Sequence, residues 1–206
     1  MADASADRSA GPLSALGRSE VRRRLVHVAG ALVPMAYVAG LLDWRTFQLV
    51  YLAAFVGAGV LEFLRLVVGL DWWVFRELTR EYESSNLAGY FLFVLGSAVA
   101  VFLFPRQVAV PALLMLSIVD PVSGLLADNE FREPKRPAVL VVAFALSAFI
   151  ALPFLWPSLV AILLGAATTT VADGMTPVVR GHAIDDNLTI PIGAGAAMWV
   201  GLQLPV

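Results

Sequence analysis

The chain has 206 residues, of which 59% are hydrophobic and 15% charged, and its mean hydropathy is +0.81. Soluble domains are about 25% charged, so this composition excludes an ordinary soluble fold and predicts an integral membrane protein. The net charge of −2 excludes a broadly basic nucleic-acid-binding surface, and the absence of cysteine excludes disulfides and thiolate sites.

A polar N-terminal tail comes first in the chain. Residues 1–20 are rich in Ala, Ser, Gly and Asp and are predicted to be flexible. Three consecutive arginines at 22–24 precede the first apolar run, and no small-residue cleavage site clearly follows that run. The segment therefore does not resemble a signal peptide, and residues 21–206 are predicted to form a single transmembrane domain.

Apolar stretches of 17–22 residues, near the length that crosses the hydrocarbon core, follow at about 25–42, 47–68, 87–104, 107–127, 137–155, 157–173 and 187–204. Because unpaired backbone groups cannot face lipid, we predict an all-α fold, a polytopic transmembrane helical bundle of about seven spans. Residues 70–86 mix aromatic and charged side chains. They predict a helix lying in the membrane interface, although a helix in a soluble loop is the alternative.

The distribution of cations predicts the orientation of the bundle. Twelve of the fourteen Lys and Arg residues fall in the tail and in the connections on its side of the membrane. Only Arg45 and Arg106 fall on the other side. Cytoplasmic segments carry the excess of Lys and Arg, so the N-terminus is predicted to be cytoplasmic in the cell membrane, and the C-terminus outside.

Polar residues at membrane depth are the candidate functional residues. An ionised group at the centre of a span costs about 2.5–3.5 kcal/mol, so it usually faces a partner or a polar cavity. The predicted topology places all of these residues on the cytoplasmic half: Arg24, His27, Glu62, Arg65, Asp120, Asp173, Asp185, Asp186 and Asn187. Converging acids could hold Mg²⁺, and arginines could hold phosphate oxygens.

Local structural roles are open for several of them. Glu62 and Arg65 are three residues apart and can form an intrahelical ion pair. Acids at 185 and 186 can cap the last helix. His27 can be an interfacial polar residue and Asp173 a solvated end residue. Asp120 interrupts an apolar run, although the following Pro121 can break that helix and leave Asp120 at a cytoplasmic mouth.

Five motifs together resemble a known family. They are RRRLVHVAG at 22–30, EFLR at 62–65, DPVSGLL at 120–126, TTTVAD at 168–173 and DDNLTIPI at 185–192. In this order they resemble the CTP-dependent polyprenol kinases, which include dolichol and phytol kinases and are related to CDP-diacylglycerol synthases. The resemblance implies a multi-span enzyme that transfers the γ-phosphate of CTP to an isoprenoid alcohol, using a divalent metal at a cytoplasmic site.

The resemblance also implies roles for individual residues. Mg²⁺ would lie on Asp120 and Asp186, and the alcohol proton would pass to Glu62 or Asp173. The catalytic set is then Asp120, Glu62 and Asp173. The nucleotide and its phosphates would be bound by Arg24, His27, Arg65, Lys135 and Asn187.

Two departures from the family pattern leave other functions open. The Ser-x-Glu-Gly motif that usually follows the family lysine is missing after Lys135, and Asp173 stands where a glutamate is usual. The alternatives are a CDP-lipid-forming cytidylyltransferase, a membrane transporter and a non-catalytic paralogue. Acids on both halves of the bundle would favour transport, because a transport path crosses the membrane.

Overall fold

The structure is a computed structural model that describes residues 18–79, 83–127, 135–175, 178–179, 182–183 and 185–204. The predicted tail lies mostly outside the described residues, and the first helix begins at Arg18. The predicted helical fold class is confirmed. A short antiparallel pair, β1 Val178–Val179 with β2 His182–Ala183, is its only strand structure among the described residues.

The described residues contain ten α-helices and one π-helical turn. The π-helical turn Met115–Val119 joins two of the helices into one continuous helix. The α-helices are α1 Arg18–Ala29, α2 Leu32–Val38, α3 Trp44–Leu66, α4 Trp73–Leu78, α5 Gly89–Leu103, α6 Arg106–Leu114, α7 Asp120–Leu126, α8 Pro137–Leu155, α9 Leu159–Gly174 and α10 Asp186–Gln203.

Three helices are long and apolar enough to cross a membrane: α3, the continuous helix Arg106–Leu126 and α8. Shorter apolar helices accompany them at Arg24–Val38, Gly89–Leu103 and Leu159–Gly174. These lengths and compositions indicate a membrane protein. Each predicted apolar stretch coincides with helix, and the first is divided between α1 and α2.

The helix Arg106–Leu126 is the centre of the bundle. Within its apolar window 72% of the residues are buried inside the protein, against 22% for α3 and 28% for α8. The two outer helices instead expose large apolar side chains, such as Val56 and Phe63 on α3 and Phe149 on α8. An outer surface of this kind is compatible with lipid, whereas its exposure to water would be unfavourable.

The central helix continues past Pro121. Proline has no backbone N–H, and its ring collides with the carbonyl group four residues earlier, which here belongs to Ser117. The π-helical turn Met115–Val119 widens the helix at that carbonyl. The proline is therefore accommodated, and Asp120 lies within the helix at the junction of the π turn and α7.

The predicted interfacial helix is shorter than the stretch assigned to it. Of residues 70–86, Trp73–Leu78 form α4, while residues 80–82 lie outside the described part of the chain. Trp72 and Trp73 are exposed, and Phe75 is buried. Residues 83–88, which precede α5, bind the C-terminal end of α3 and form part of the candidate site.

Gly96 allows α5 and α10 to pack closely. A Cβ atom at this position would overlap the backbone oxygen of Asn187 and lie 3.0 Å from Cγ of Pro191. Small residues let two membrane helices approach until their backbones touch. The glycine therefore brings the first turn of α10, with its polar residues, against α5.

We expect Gly96→Ala to destabilise the protein by about 1–3 kcal/mol, because the added methyl group forces the two helices apart. Gly57→Ala is the matched control, since a Cβ atom there has no neighbour within 4 Å and alanine is the better helix former. The measurement is thermal unfolding in detergent, followed by circular dichroism. Equal midpoints for the two variants would contradict the assigned helix contact.

Candidate functional site

A cavity of about 370 Å³ lies where α1, α5, α7 and the start of α10 meet. This volume is within the range of small-ligand sites, roughly 300–1,000 Å³. Its wall has an apolar part that includes Val26, Phe93 and Val94. The polar part of the wall is formed by Arg24, His27, Glu83, Tyr90, Asp120, Asp185, Asp186 and Asn187.

A hydrogen bond between His27 and Asp120 joins α1 to α7. The Nδ1 atom of His27 lies 3.0 Å from Oδ2 of Asp120. The imidazole also packs against the ring of Phe93, with 4.9 Å between the ring centroids. Gly30 leaves room for Phe93, because a Cβ atom there would meet the ring at 2.5 Å. The imidazole is therefore held from two sides in the cavity wall.

Arg24 lies beside the same aspartate. Its Nη1 atom donates to the backbone oxygen of Pro121 at 3.4 Å, and its charge interacts with Asp120. Gly124 makes room for the guanidinium group, since a Cβ atom at that position would lie 2.8 Å from Nη1. The arrangement places one cation and one carboxylate side by side in the cavity.

The first turn of α10 adds two acids and an amide. Asp185 caps the helix, accepting from the backbone N of Asn187 at 3.0 Å and from its side-chain Nδ2 at 2.6 Å. Asp185 therefore takes the capping role that the sequence left open for it. Asp186 also lines the cavity, and its carboxylate interacts with the charge of Asp120. The Oδ1 atom of Asn187 is buried without a partner in the described part of the chain.

Ser123, Lys135 and Asp173 form a buried cluster behind Asp120. The Nζ atom of Lys135 lies 2.7 Å from Oδ1 of Asp173 and 2.7 Å from Oγ of Ser123, which donates to the same carboxylate oxygen at 2.8 Å. The side chain of Asp173 is 0% exposed. Neither Lys135 nor Asp173 is among the described residues that line the cavity. The Oγ atom of Ser123 lies 3.2 Å from the backbone oxygen of Asp120, so the cluster adjoins the cavity through this residue.

Glu62 and Arg65 form the predicted intrahelical ion pair, and they also bind the segment before α5. Oε1 of Glu62 accepts from Nη2 of Arg65 at 2.5 Å and from the backbone N of Ala88 at 2.8 Å. Oε2 accepts from Nε of Arg65 at 3.1 Å and from the hydroxyl of Tyr90 at 2.5 Å. Arg65 donates further to the backbone oxygens of Glu83, Ser84 and Asn86.

The donor atoms in the cavity match the chemistry of Mg²⁺. Asp120 and Asp186 offer carboxylate oxygens, and Mg²⁺ is usually held by one or two carboxylates together with water and substrate phosphates. Among the described residues, no three histidine or acid side chains already converge on one metal position. A phosphate-bearing ligand would therefore have to complete such a site.

Five of the predicted site residues meet in one cavity wall: Arg24, His27, Asp120, Asp186 and Asn187. The other four, Glu62, Arg65, Lys135 and Asp173, lie behind that wall. Helical periodicity predicts Gly124 on the same face as Asp120, but neither Gly124 nor Ser123 was predicted as a site residue. Glu83 was also missed, because it lies in the segment predicted to be interfacial, and Tyr90 was missed because it lies in the apolar stretch 87–104.

Removing Lys135 should leave the carboxylate of Asp173 buried and uncompensated. We expect Lys135→Met to lower the free energy of unfolding by about 3–5 kcal/mol, as measured by thermal unfolding in detergent. Arg76→Met is the matched control, because the Arg76–Asp71 pair is 65% and 73% exposed and such pairs contribute about 0–1 kcal/mol. Adding Asp173→Asn to Lys135→Met should recover stability; equal losses for Lys135→Met and Arg76→Met would contradict the assigned pairing.

Known proteins do not identify this site. No protein-family model, curated protein or solved structure matches the chain. The chemistry of the cavity therefore has to be inferred from its own side chains.

Proposed function

We propose that the chain is a phosphotransferase that moves the terminal phosphate of a nucleotide to a membrane alcohol. The donor expected from the family resemblance is CTP, and the acceptor is an isoprenoid alcohol of the polyprenol class. The observation that carries the proposal is a single cavity with Arg24, His27, Asp120 and Asp186 on one part of its wall and apolar side chains on another. An amphipathic substrate needs both surfaces.

Phosphoryl transfer depends mainly on positioning and on charge neutralisation. In this proposal Arg24 binds phosphate oxygens through its guanidinium group, and Asn187 orients the nucleotide. Asp120 and Asp186 would hold Mg²⁺, which when bound neutralises charge on the donor phosphates. Arg24 would thus bind the phosphates directly, and the two acids would bind them through Mg²⁺.

We assign the alcohol proton to His27 in preference to Glu62 or Asp173. The imidazole lines the cavity, and its Nδ1 atom is bonded to Asp120, which leaves Nε2 to act as a general base. The hydroxyl proton passes to Nε2 while the alcohol oxygen bonds to the γ-phosphorus. The bond from that phosphorus to the bridging oxygen breaks, and the nucleoside diphosphate leaves.

The apolar part of the wall suits the carbons next to the hydroxyl group. Val26, Phe93 and Val94 lie there, and the outer helices expose apolar side chains to the surroundings. In this proposal the remainder of the isoprenoid chain stays in the bilayer. The enzyme would need to enclose only the reacting end.

The proposed arrangement is a seven-span bundle with its N-terminus and its cavity on the cytoplasmic side. The cation distribution supports this orientation. Asp43 lies at the opposite end of α3 from Glu62, where it is an exposed helix cap. Its carboxylate accepts from the backbone N of Thr46 at 2.8 Å, and this hydrogen bond lowers the pKa of Asp43. A surface cap of this kind gives no support to a transport path.

The natural absence of cysteine makes the orientation testable by single-cysteine labelling. We expect Asp43→Cys to react with a membrane-impermeant maleimide in intact cells. Asp71→Cys, at an exposed position beyond the other end of α3, should react only after permeabilisation. The reverse pattern would place the cavity on the outer face and exclude a cytoplasmic nucleotide site.

Asp120→Asn should lower lipid phosphorylation by at least about 100-fold, the usual cost of removing a group that stabilises the transferring charge. Asp43→Asn is the matched control, because it makes the same chemical change at an exposed cap where asparagine serves equally well. The assay uses protein in lipid nanodiscs with γ-labelled CTP or ATP, Mg²⁺ and a panel of polyprenols, and it measures labelled lipid.

A parallel reaction with α-labelled CTP distinguishes the related chemistry. Cytidine retained on the lipid would identify a cytidylyltransferase, whereas a kinase leaves the α-label on the nucleotide. Full activity of the Asp120→Asn variant, or no labelled lipid from either nucleotide, would overturn the proposed function.

A further inference from the structure

We propose that Glu62 and Arg65 form a latch that positions part of the cavity wall, and that neither residue touches the substrate. The latch is defined by these two side chains on α3 and the segment 83–90 that they bind. Its effect on turnover rests on the proposed function. Its effect on the order of the segment does not.

Every acceptor position of Glu62 is in use. An ionised carboxylate has about four lone-pair sites, and this one accepts from Nε and Nη2 of Arg65, the backbone N of Ala88 and the hydroxyl of Tyr90. The residue is 4% exposed. It therefore has no lone pair directed at a ligand, which a proton acceptor would need.

The donors of Arg65 are saturated in the same way. A guanidinium group has five N–H donors, and here five acceptors surround it, with the longest distance being 3.5 Å to the backbone oxygen of Ser84. Two acceptors belong to Glu62, and three are backbone oxygens of Glu83, Ser84 and Asn86. The side chain is 8% exposed, so binding a phosphate would require breaking these bonds.

The bound segment carries three residues of the cavity wall: Glu83, Gly89 and Tyr90. Glu83 is itself buried, and its backbone oxygen lies 2.9 Å from Nη1 of Arg65. Ala88 is the N-cap residue of α5, a helix end that leaves unpaired backbone N–H groups. Glu62 accepts from one of these groups and fixes the start of α5.

The number of bonds separates this latch from an ordinary helix-surface ion pair. An exposed pair three residues apart contributes about 0.2–0.5 kcal/mol. Loss of Arg65 would instead remove one of the two donors from each oxygen of the buried Glu62 and would release the backbone oxygens of Glu83, Ser84 and Asn86. The loss is costly at the buried carboxylate, and it frees the segment at three points. The consequence should therefore appear in the segment 83–90 and in the cavity.

Arg65→Lys tests the latch most directly. Lysine keeps the positive charge that binding a phosphate requires, but it lacks the planar fork that reaches five acceptors. We expect hydrogen–deuterium exchange in peptides covering 83–90 to become roughly ten- to hundredfold faster in Arg65→Lys and Arg65→Gln. Exchange in the first half of α3 should stay unchanged. Arg76→Lys, in an exposed ion pair, is the control and should match the native protein.

The exchange measurement decides the latch without reference to activity. Native exchange of the segment in both Arg65 variants would overturn it, whether or not the protein transfers phosphate. Faster exchange together with no lipid phosphorylation by the native chain would support the latch and refute the proposed function.

Where the chain is active, kinetics separate a positioning residue from a catalytic one. We expect Glu62→Gln and Arg65→Lys to raise KM and to leave the shape of the pH–rate profile unchanged. A loss of kcat with an altered profile and native exchange of the segment would instead establish Glu62 as the proton acceptor.

Discussion

Ionised side chains inside an apolar helical bundle need partners, because an unpaired buried charge costs several kcal/mol. Two ion pairs meet this requirement at one end of the bundle, Glu62 with Arg65 and Lys135 with Asp173, and there Asp120 is hydrogen-bonded to His27. Their contacts join α1 to α7, α3 to the start of α5, and the start of α8 to the end of α9. Apolar packing alone would tolerate many rotations of these helices. These paired side chains favour the arrangement of the helices in which each one reaches its partner.

The same requirement separates the polar residues into two groups. Glu62, Arg65, Lys135 and Asp173 bond to one another and to groups behind the cavity wall, while Oδ2 of Asp173 is buried without a partner among the described residues. Arg24, Asp120, Asp186 and Asn187 retain a surface in the cavity wall. Asp120 belongs to both groups, since one oxygen bonds to His27 while the residue lines the cavity. A ligand would therefore contact a wall whose supporting ion pairs lie one layer behind it.

Hydropathy was sufficient to find the helices, because lipid-facing and buried helices both need long apolar runs; the stretch predicted at 137–155 coincides with α8. Hydropathy could not show which helices are buried inside the protein and which lie on its outside. Arg106–Leu126 and α3 have the same mean hydropathy, yet 72% and 22% of their windows are buried, since lipid and protein interior are equally apolar. The three-residue spacing of Glu62 and Arg65 predicted their pairing. Their further bonds to Ala88 and Tyr90 depend on how the chain returns after α4, which no local pattern encodes.

The π-helical turn sets the direction in which the side chains after it in the central helix point. Each residue of an α-helix turns the chain by about 100°, and a π turn holds one residue more than an α-helical turn. If the same residues formed an unbroken α-helix, every side chain beyond the turn would be rotated by about 100°. Asp120 would then point away from His27, and Ser123 away from Asp173. Removing one residue within Met115–Val119 would offset this rotation, whereas removing one elsewhere in the central helix would not. A single-residue deletion should therefore be tolerated better inside the π turn than beside it.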